Sequence, residues 1–338
     1  MPSKFIIDKI NKHININKNN ISIVKTTNSV NIQPLLNDLK LECIINLGIV
    51  NNIRWINKFH EAVNEKLENG HIYVSCGETL VERSKRIQNK IPFGFKQLFR
   101  AVDFIYKRVI PKVPGLKKIY FAITNGHNRV ISKAEILGRL ISCGFEVLEY
   151  FEYNNLMYVI SKKTQKPAYN MEASYGLLFK MKRIGYKGEI IGVYKLRTMF
   201  PYSEYCQELI TKENELDESG KISNDFRVTY WGRVFRRYWI DELPMFINYF
   251  KRELNIVGVR PLSQNYFSRY PKDLQDLRLK VKPGLIPPYY ADMPKNFDEI
   301  IESERRYLQR KKEKQYSTDF IYFWKAFVNI VFKGARSR

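Results

Sequence analysis

Cysteine is scarce: the 338 residues hold only four, and Cys43, Cys76, Cys143 and Cys206 stand far apart with no CxxC pair. This excludes a cysteine-built zinc site and a disulfide framework. It fits a reducing cytoplasm in which each thiol is a small buried apolar side chain. Acids are also short, at 34 Asp+Glu against 57 Lys+Arg, for a net charge of +23. Such an imbalance favours an anionic partner: nucleic acid, a phosphate-bearing substrate or an acidic membrane surface. No stretch reaches the ~18 uninterrupted apolar residues of a transmembrane helix. Residues 1–20 lack the apolar core and small-residue cleavage site of a secretory signal. No glycine-rich GxGxxG turn occurs in residues 1–130, so a dinucleotide or adenosyl-methionine pocket has no support. With 44% hydrophobic residues, the chain has material for a true core, which excludes disorder as its main state.

The length fits two domains. The polar, aperiodic segment Ser161–Tyr175 marks the expected boundary, giving domains 1–165 and 166–338. The first carries 25 basic and 13 acidic residues and the second 32 and 21, so the charge belongs to both. In the first, Ile53, Ile56, Phe59, His60, Val63 and Leu67 recur at helical spacing until Gly70. His71–Cys76 and Lys118–Ile123 are strand candidates, and Phe95–Ile110 is a helix candidate. Ser132 caps a helix running to about Cys143. A hairpin is expected around Asn154-Asn155, and Asn11–Asn20 is expected to be a flexible lead-in. This succession resembles the later part of a Rossmann-type methyltransferase, implying a small Rossmann-like α/β domain.

The second domain opens with an expected β-hairpin, Leu177–Ile184 and Glu189–Leu196, around Gly185-Tyr186-Lys187-Gly188. Helices are expected over 203–218, over 235–250 with an interruption near Pro244, and over 264–280, 298–314 and 319–332. The expected class is therefore a mostly helical α+β domain after the α/β one. Within it lie Tyr194–Met199 with Lys195 and Arg197, Asp225-Phe226-Arg227, Gly232-Arg233, Arg236-Arg237, Asp241-Glu242-Leu243-Pro244, Val257–Pro261 with Arg260, and Lys282-Pro283-Gly284. Taken singly, arginines beside carboxylates form surface ion pairs. Together they suit phosphoryl transfer: guanidinium forks clamp phosphate oxygens, and carboxylates hold Mg²⁺ or attack phosphorus. No helix-turn-helix, zinc-finger or RNA-binding signature accompanies the charge, so nucleic acid is not an expected partner.

In this order the motifs resemble the bacterial sugar transferase family, the monotopic polyprenyl-phosphate phosphoglycosyl transferases, over about residues 175–335. The resemblance implies a transferase that moves a sugar-1-phosphate from a nucleotide sugar, usually a UDP-sugar, to a polyprenyl phosphate, initiating glycan synthesis. It implies Asp241 as the nucleophile that takes a covalent phosphosugar and Glu242 as the Mg²⁺ residue. Lys195, Arg197, Arg233, Arg236, Arg237 and Arg260 are the candidates for binding phosphate. The family's apolar re-entrant helix before the hairpin is replaced here by Ser161–Tyr175, with Lys162, Lys163, Lys166 and Glu172. Val259 stands where the family has Pro, Met245 where it has Gln, and Leu-Ile-Pro-Pro-Tyr-Tyr follows Lys282-Pro283-Gly284 in place of a Thr-Gly turn. The lipid is then expected to be met through a peripheral contact at the inner face of the bacterial membrane or through a membrane-bound partner. Asp319–Phe332, with Phe320, Phe323, Trp324, Phe327 and Val331 on one helix face and Lys333, Arg336 and Arg338 beyond, fits an interfacial helix or a helix packing its aromatics into the core. A non-catalytic scaffold of a glycan-assembly complex is the alternative reading.

Overall fold

A computed structural model describes residues 2–15, 20–36, 41–113, 115–169, 176–213 and 225–333. It is mixed α/β and divides into two compact units, Met1–Tyr175 with Met199–Arg227, and Gly176–Thr198 with Val228–Arg338.

The first unit is built on five strands: β1 (Ile21–Val24), β2 (Cys43–Ile49), β3 (Ile72–Gly77), β4 (Phe145–Tyr153) and β5 (Leu156–Lys163). Their order is β1-β2-β3-β5-β4. β1, β2 and β3 run parallel, while β5 lies antiparallel between β3 and β4. Its helices are α1 (Lys4–Asn11), α2 (Ile56–Lys66), α3 (Leu80–Lys90), α4 (Lys96–Phe104), α5 (Leu116–Thr124), α6 (Lys133–Ser142) and α7 (Gln207–Glu213). Alternate strand residues feed two cores, as the two-residue period of a strand requires. Ile44, Tyr73 and Val159 meet Phe59, Val63 and Leu137 on one side. Cys43, Val74 and Ile160 meet Ile6 and Ile10 of α1 on the other. All four cysteines are free and buried. The β4–β5 hairpin turns at Asn154 and Asn155, both at positive φ, as expected of an Asn pair.

Three expectations need correction. Lys118–Ile123 is not a strand but lies within α5, bracketed by Gly115 at φ +83° and Asn125 in the left-handed region. The five apolar residues Ile119–Ile123 in a row carry no period that separates strand from helix, and only Tyr120 among them is buried. The sheet instead draws on β1 and β2. The lead-in is not wholly irregular either, since α1 extends through Asn11; residues 16–19 lie outside the described set. The third concerns residues 203–218, read as polar. Ser203–Cys206 forms a 3₁₀ turn leading into α7, and Cys206 and Ile210 join the first unit's core. Residues 214–218 are outside the described set. Gly138 on α6 admits this segment, because a Cβ there would lie 2.2 Å from the Tyr202 carbonyl oxygen. The expected boundary segment begins as the end of β5, and its residues 170–175 lie outside the described set.

The second unit opens with the expected hairpin, β6 (Leu178–Ile184) and β7 (Ile190–Leu196), turning through Lys187 and Gly188 at positive φ. It continues with α8 (Tyr230–Arg237), a 3₁₀ segment Ile240–Met245, α9 (Phe246–Phe250) and β8 (Asn255–Val257). Then come α10 (Gln264–Phe267), α11 (Lys272–Leu279), β9 (Gly284–Ile286), α12 (Tyr289–Asp292), α13 (Phe297–Glu313) and α14 (Gln315–Phe332). β8 and β9 pair in parallel. The expected helix 264–280 is two helices, because Pro271 has no N–H to continue the first. On α14, Thr318, Tyr322, Ala326 and Asn329 face inward, while Phe320, Trp324, Phe327 and Val331 are exposed and Phe323 is half-buried against the core. Among the described residues no helix is long and apolar enough to cross a membrane.

α6 starts with a capping box. Ser132 Oγ accepts from Glu135 N at 3.2 Å, and Glu135 Oε2 accepts from Ser132 N at 3.0 Å. Burial opposes ionisation of Glu135, but Arg108, Lys112 and Arg139 outweigh it and hold the carboxyl down to about 2. A carboxyl with a depressed folded value adds stability above its unfolded range, near 4.5, and loses it as pH falls toward 2. Glu135→Gln leaves Arg108 without its buried partner and should cost about 2–4 kcal/mol at pH 7. Urea unfolding of wild type and variant should show the gap narrowing between pH 4.5 and 3.

Candidate active site

The site is organised around the end of β7 and the segment after α8. Thr229 caps α8, accepting from Gly232 N at 2.9 Å, and its own N–H donates to Thr198 O at 2.9 Å. Gly232 lets the helix approach that closely, for a Cβ there would sit 2.1 Å from Thr198 O. Arg236 Nε, one turn on, donates to Thr198 Oγ1 at 2.9 Å. The helix ends at Tyr238, and the chain breaks direction at Trp239, whose φ of +55° is in the left-handed region. The interruption expected near Pro244 therefore lies five residues earlier. Pro244 itself sits inside the 3₁₀ segment that presents Asp241 and Glu242.

Asn248 locks this segment to β7. Wholly buried, it donates through Nδ2 to Gly192 O at 2.8 Å and to Glu253 Oε2 at 2.6 Å, and accepts from Tyr194 N at 3.0 Å. The neighbouring Lys195 Nζ then reaches Glu242 Oε1 at 2.7 Å. Asp241 is placed differently. Its Oδ1 is buried with no hydrogen-bond partner. Burial and the adjacent Glu242 charge push its carboxyl above the ordinary aspartate value of 3.8, against the pull of Lys195 and Arg236. One carboxylate is thus paired with a lysine, and its neighbour keeps one oxygen without a hydrogen-bond partner beside cations.

Arg260 enters from the far side of the motif set. Gly258 and Gly284 are required by close approach, not by turns: a Cβ on Gly284 would lie 2.2 Å from Gly258 N. The close parallel pairing of β8 and β9 at these glycines sets the backbone from which Arg260 projects, and Arg278 NH2 braces it by donating to Arg260 O at 2.5 Å. Burial works against the Arg260 charge, but Tyr289 and Glu242 favour it and keep the guanidinium firmly protonated. Its NH1 donates to the Tyr289 hydroxyl at 3.0 Å. Tyr289, Tyr290 and Trp239 form an aromatic wall, with ring centroids 4.7 Å apart for the tyrosine pair and 5.3 Å for Trp239 and Tyr290.

Of the residues singled out from sequence, Lys195, Arg236, Arg260, Asp241 and Glu242 are thus joined by contact or mutual charge. Arg197 turns to the hairpin base, donating to Gly176 O at 3.1 Å with its guanidinium over Phe179. Arg233 and Arg237 are exposed on α8. Asp225 and Arg227 pair with each other in the first unit, Arg227 NH2 at 2.7 Å from Asp225 Oδ2, and Arg227 NH1 also donates to Gln207. Asn248, Tyr289 and Trp239 were not singled out. The Tyr-Tyr pair after Pro-Pro was visible as a departure, while a helical Asn carries no signal of its own. Mg²⁺ takes oxygen ligands and commonly needs only one or two carboxylates beside phosphate and water. Glu242 with the unpartnered Asp241 Oδ1 fits that requirement. Among the described residues no group of three or more His, Cys, Asp or Glu side chains is gathered for a metal, so further ligands would come from substrate and water.

Residues 163–333 match the bacterial sugar transferase family, and the chain belongs to that family. The resemblance read from the ordered motifs is borne out over the transferase half. The chain is 31% identical over 135 residues to a galactosyl transferase, CpsE, of Streptococcus agalactiae, covering 39% of this chain and 30% of that one. It is 34% identical over 113 residues to the undecaprenyl-phosphate galactose phosphotransferase of Salmonella typhimurium, covering 32% and 24%. It is 35% identical over 111 residues to the UDP-glucose:undecaprenyl-phosphate glucose-1-phosphate transferase of Escherichia coli, covering 32% and 22%. The chain thus spans less than a third of the length of these three relatives.

A carboxyl whose folded value is raised supports the fold fully below its unfolded value and withdraws that support as pH climbs through the raised one. Ionised Asp241 is therefore a cost at neutral pH. Asp241→Asn should raise the thermal midpoint at pH 7.5 by about 2 °C, and calorimetry at pH 4 should show a smaller gain.

Proposed function

We propose that the chain transfers a sugar-1-phosphate from a UDP-sugar to a polyprenyl phosphate through a phosphosugar carried on Asp241. The observation that carries this reading is the unpaired, buried Asp241 Oδ1 beside Lys195-bound Glu242. Support comes from the Salmonella and Escherichia coli relatives, whose names specify an undecaprenyl phosphate acceptor and, for the second, a UDP-glucose donor.

In the first step Asp241 Oδ1 attacks the phosphorus that bears the sugar. The bond from that phosphorus to the bridging oxygen breaks, and the nucleoside monophosphate leaves with the electron pair. In the second step an oxygen of the acceptor phosphate attacks the same phosphorus and displaces Asp241, giving a sugar-diphospho-lipid. An anion attacking a diphosphate must be shielded from repulsion. Lys195, Arg236 and Arg260 supply fixed positive charge near the carboxylates, and Arg197, Arg233 and Arg237 are assigned to outer phosphate oxygens. Mg²⁺ held at Glu242 contributes further charge neutralisation to the diphosphate when bound. Asn248 positions β7 against the nucleophile segment. The exposed Phe320, Trp324, Phe327 and Val331 stripe of α14 is assigned to peripheral contact with the cytoplasmic membrane face.

Nucleoside monophosphate release from a panel of UDP-sugars, with and without polyprenyl phosphate, tests this. Asp241→Asn should lower release at least ~10³-fold, and retained turnover would refute the assigned mechanism. The raised Asp241 value puts the acid limb of the rate profile above that of an ordinary aspartate. Glu242→Gln removes a neighbouring negative charge, so its residual activity should show an acid limb at lower pH than wild type.

A further inference from the structure

A membrane-active transferase needs a place to rest on lipid, and the first unit carries a surface suited to that. After α3 the chain forms an arm: α4, a π turn over Ile105–Val109, a 3₁₀ turn over Ile110–Lys112, and α5. Tyr106 and Tyr120 hold the two limbs together edge to face, with centroids 5.5 Å apart. Outside that contact α4 is exposed almost all round. Phe95, Leu98, Phe99, Val102 and Ile105 follow helical spacing and are all open to solvent, Leu98 at 65%. Ile119 at 59% and Ile123 at 71% are further exposed apolar side chains on α5. Monomeric soluble proteins rarely show a contiguous apolar surface of this kind without a partner for it.

The charge on the arm identifies the occupant. Asp103 is the only acid between residues 91 and 124. It is buried, held by Arg83 Nε at 2.6 Å and Lys107 Nζ at 3.1 Å. Its charge anchors the arm to α3 and does not reach the outer surface. The exposed ionic groups left among these apolar side chains include Arg100, Lys117 and Lys118. Apolar side chains interleaved with cations, and no exposed acid, fit an anionic lipid surface: the apolar groups enter the acyl boundary and the cations meet headgroups.

We propose that the α4–α5 arm of the first unit docks the protein on an anionic bilayer. The inference deepens the proposed function by giving the lipid acceptor's membrane a contact outside the transferase unit, and its test does not depend on transfer. The full chain is floated with phosphatidylglycerol–phosphatidylcholine vesicles and with phosphatidylcholine vesicles, without nucleotide sugar. Wild type should float with the anionic vesicles and be released by salt. Leu98→Asp/Ile119→Asp should lower the bound-to-free ratio at least ~10-fold. Lys117→Glu/Lys118→Glu should lower it on the anionic vesicles alone. Both pairs are exposed, so circular dichroism should match wild type. Unchanged flotation of both arm variants overturns the proposal. So does failure of wild type to float on either vesicle, which points to a protein partner. Loss of transfer in detergent with flotation intact strikes the proposed function alone.

Discussion

The 2.7 Å contact between Lys195 Nζ and Glu242 Oε1 is the constraint around which the transferase unit is arranged. Two adjacent carboxylates in a half-buried setting repel, and one lysine neutralises one of them. The other, Asp241, keeps its Oδ1 buried and unpartnered. A fold optimised only for stability would pair or remove that group. Its persistence costs stability, and in the proposed mechanism it leaves an oxygen that needs no partner displaced before it attacks phosphorus.

Keeping that pair in place falls to groups that do no chemistry. Asn248 ties the β7 backbone to α9 with two hydrogen bonds, to Gly192 O and from Tyr194 N, and a third to Glu253 holds its amide in place, which fixes the strand that presents Lys195 against the segment that presents Glu242. Gly258 and Gly284 let the paired strands β8 and β9 approach closely enough to set Arg260 toward the same charges. Gly232 does the same for α8 against Thr198. Three of the glycine-bearing motifs thus act through close backbone approach.

The chemistry was legible because its residues are contiguous: Asp241-Glu242 and the surrounding basic pairs announce themselves in order. The supports were not. Asn248 is a polar residue in a short helix with no local pattern. The left-handed turn at Trp239 has neither Gly nor Asn to mark it, so the sequence points to Pro244 for the break. In the first unit the α2 period, the Ser132 cap and the Asn154-Asn155 turn were readable from local rules. The strand-like run Lys118–Ile123 became a helix because flanking residues at positive φ, not its own composition, set its limits. That residues 199–213 pack with the first unit depends on Tyr202, Cys206 and Ile210 finding a distant core, which no local rule reports.

In the proposed mechanism Asp241 carries the phosphosugar on its partnerless Oδ1. Intact-mass spectrometry of the full chain, incubated with a UDP-sugar and Mg²⁺ without acceptor, tests it directly. The account predicts a mass gain of one sugar phosphate that maps to the peptide containing Asp241, is absent in Asp241→Asn and is discharged by polyprenyl phosphate. An adduct that survives in Asp241→Asn, or turnover of donor and acceptor with no adduct at any time, would contradict it.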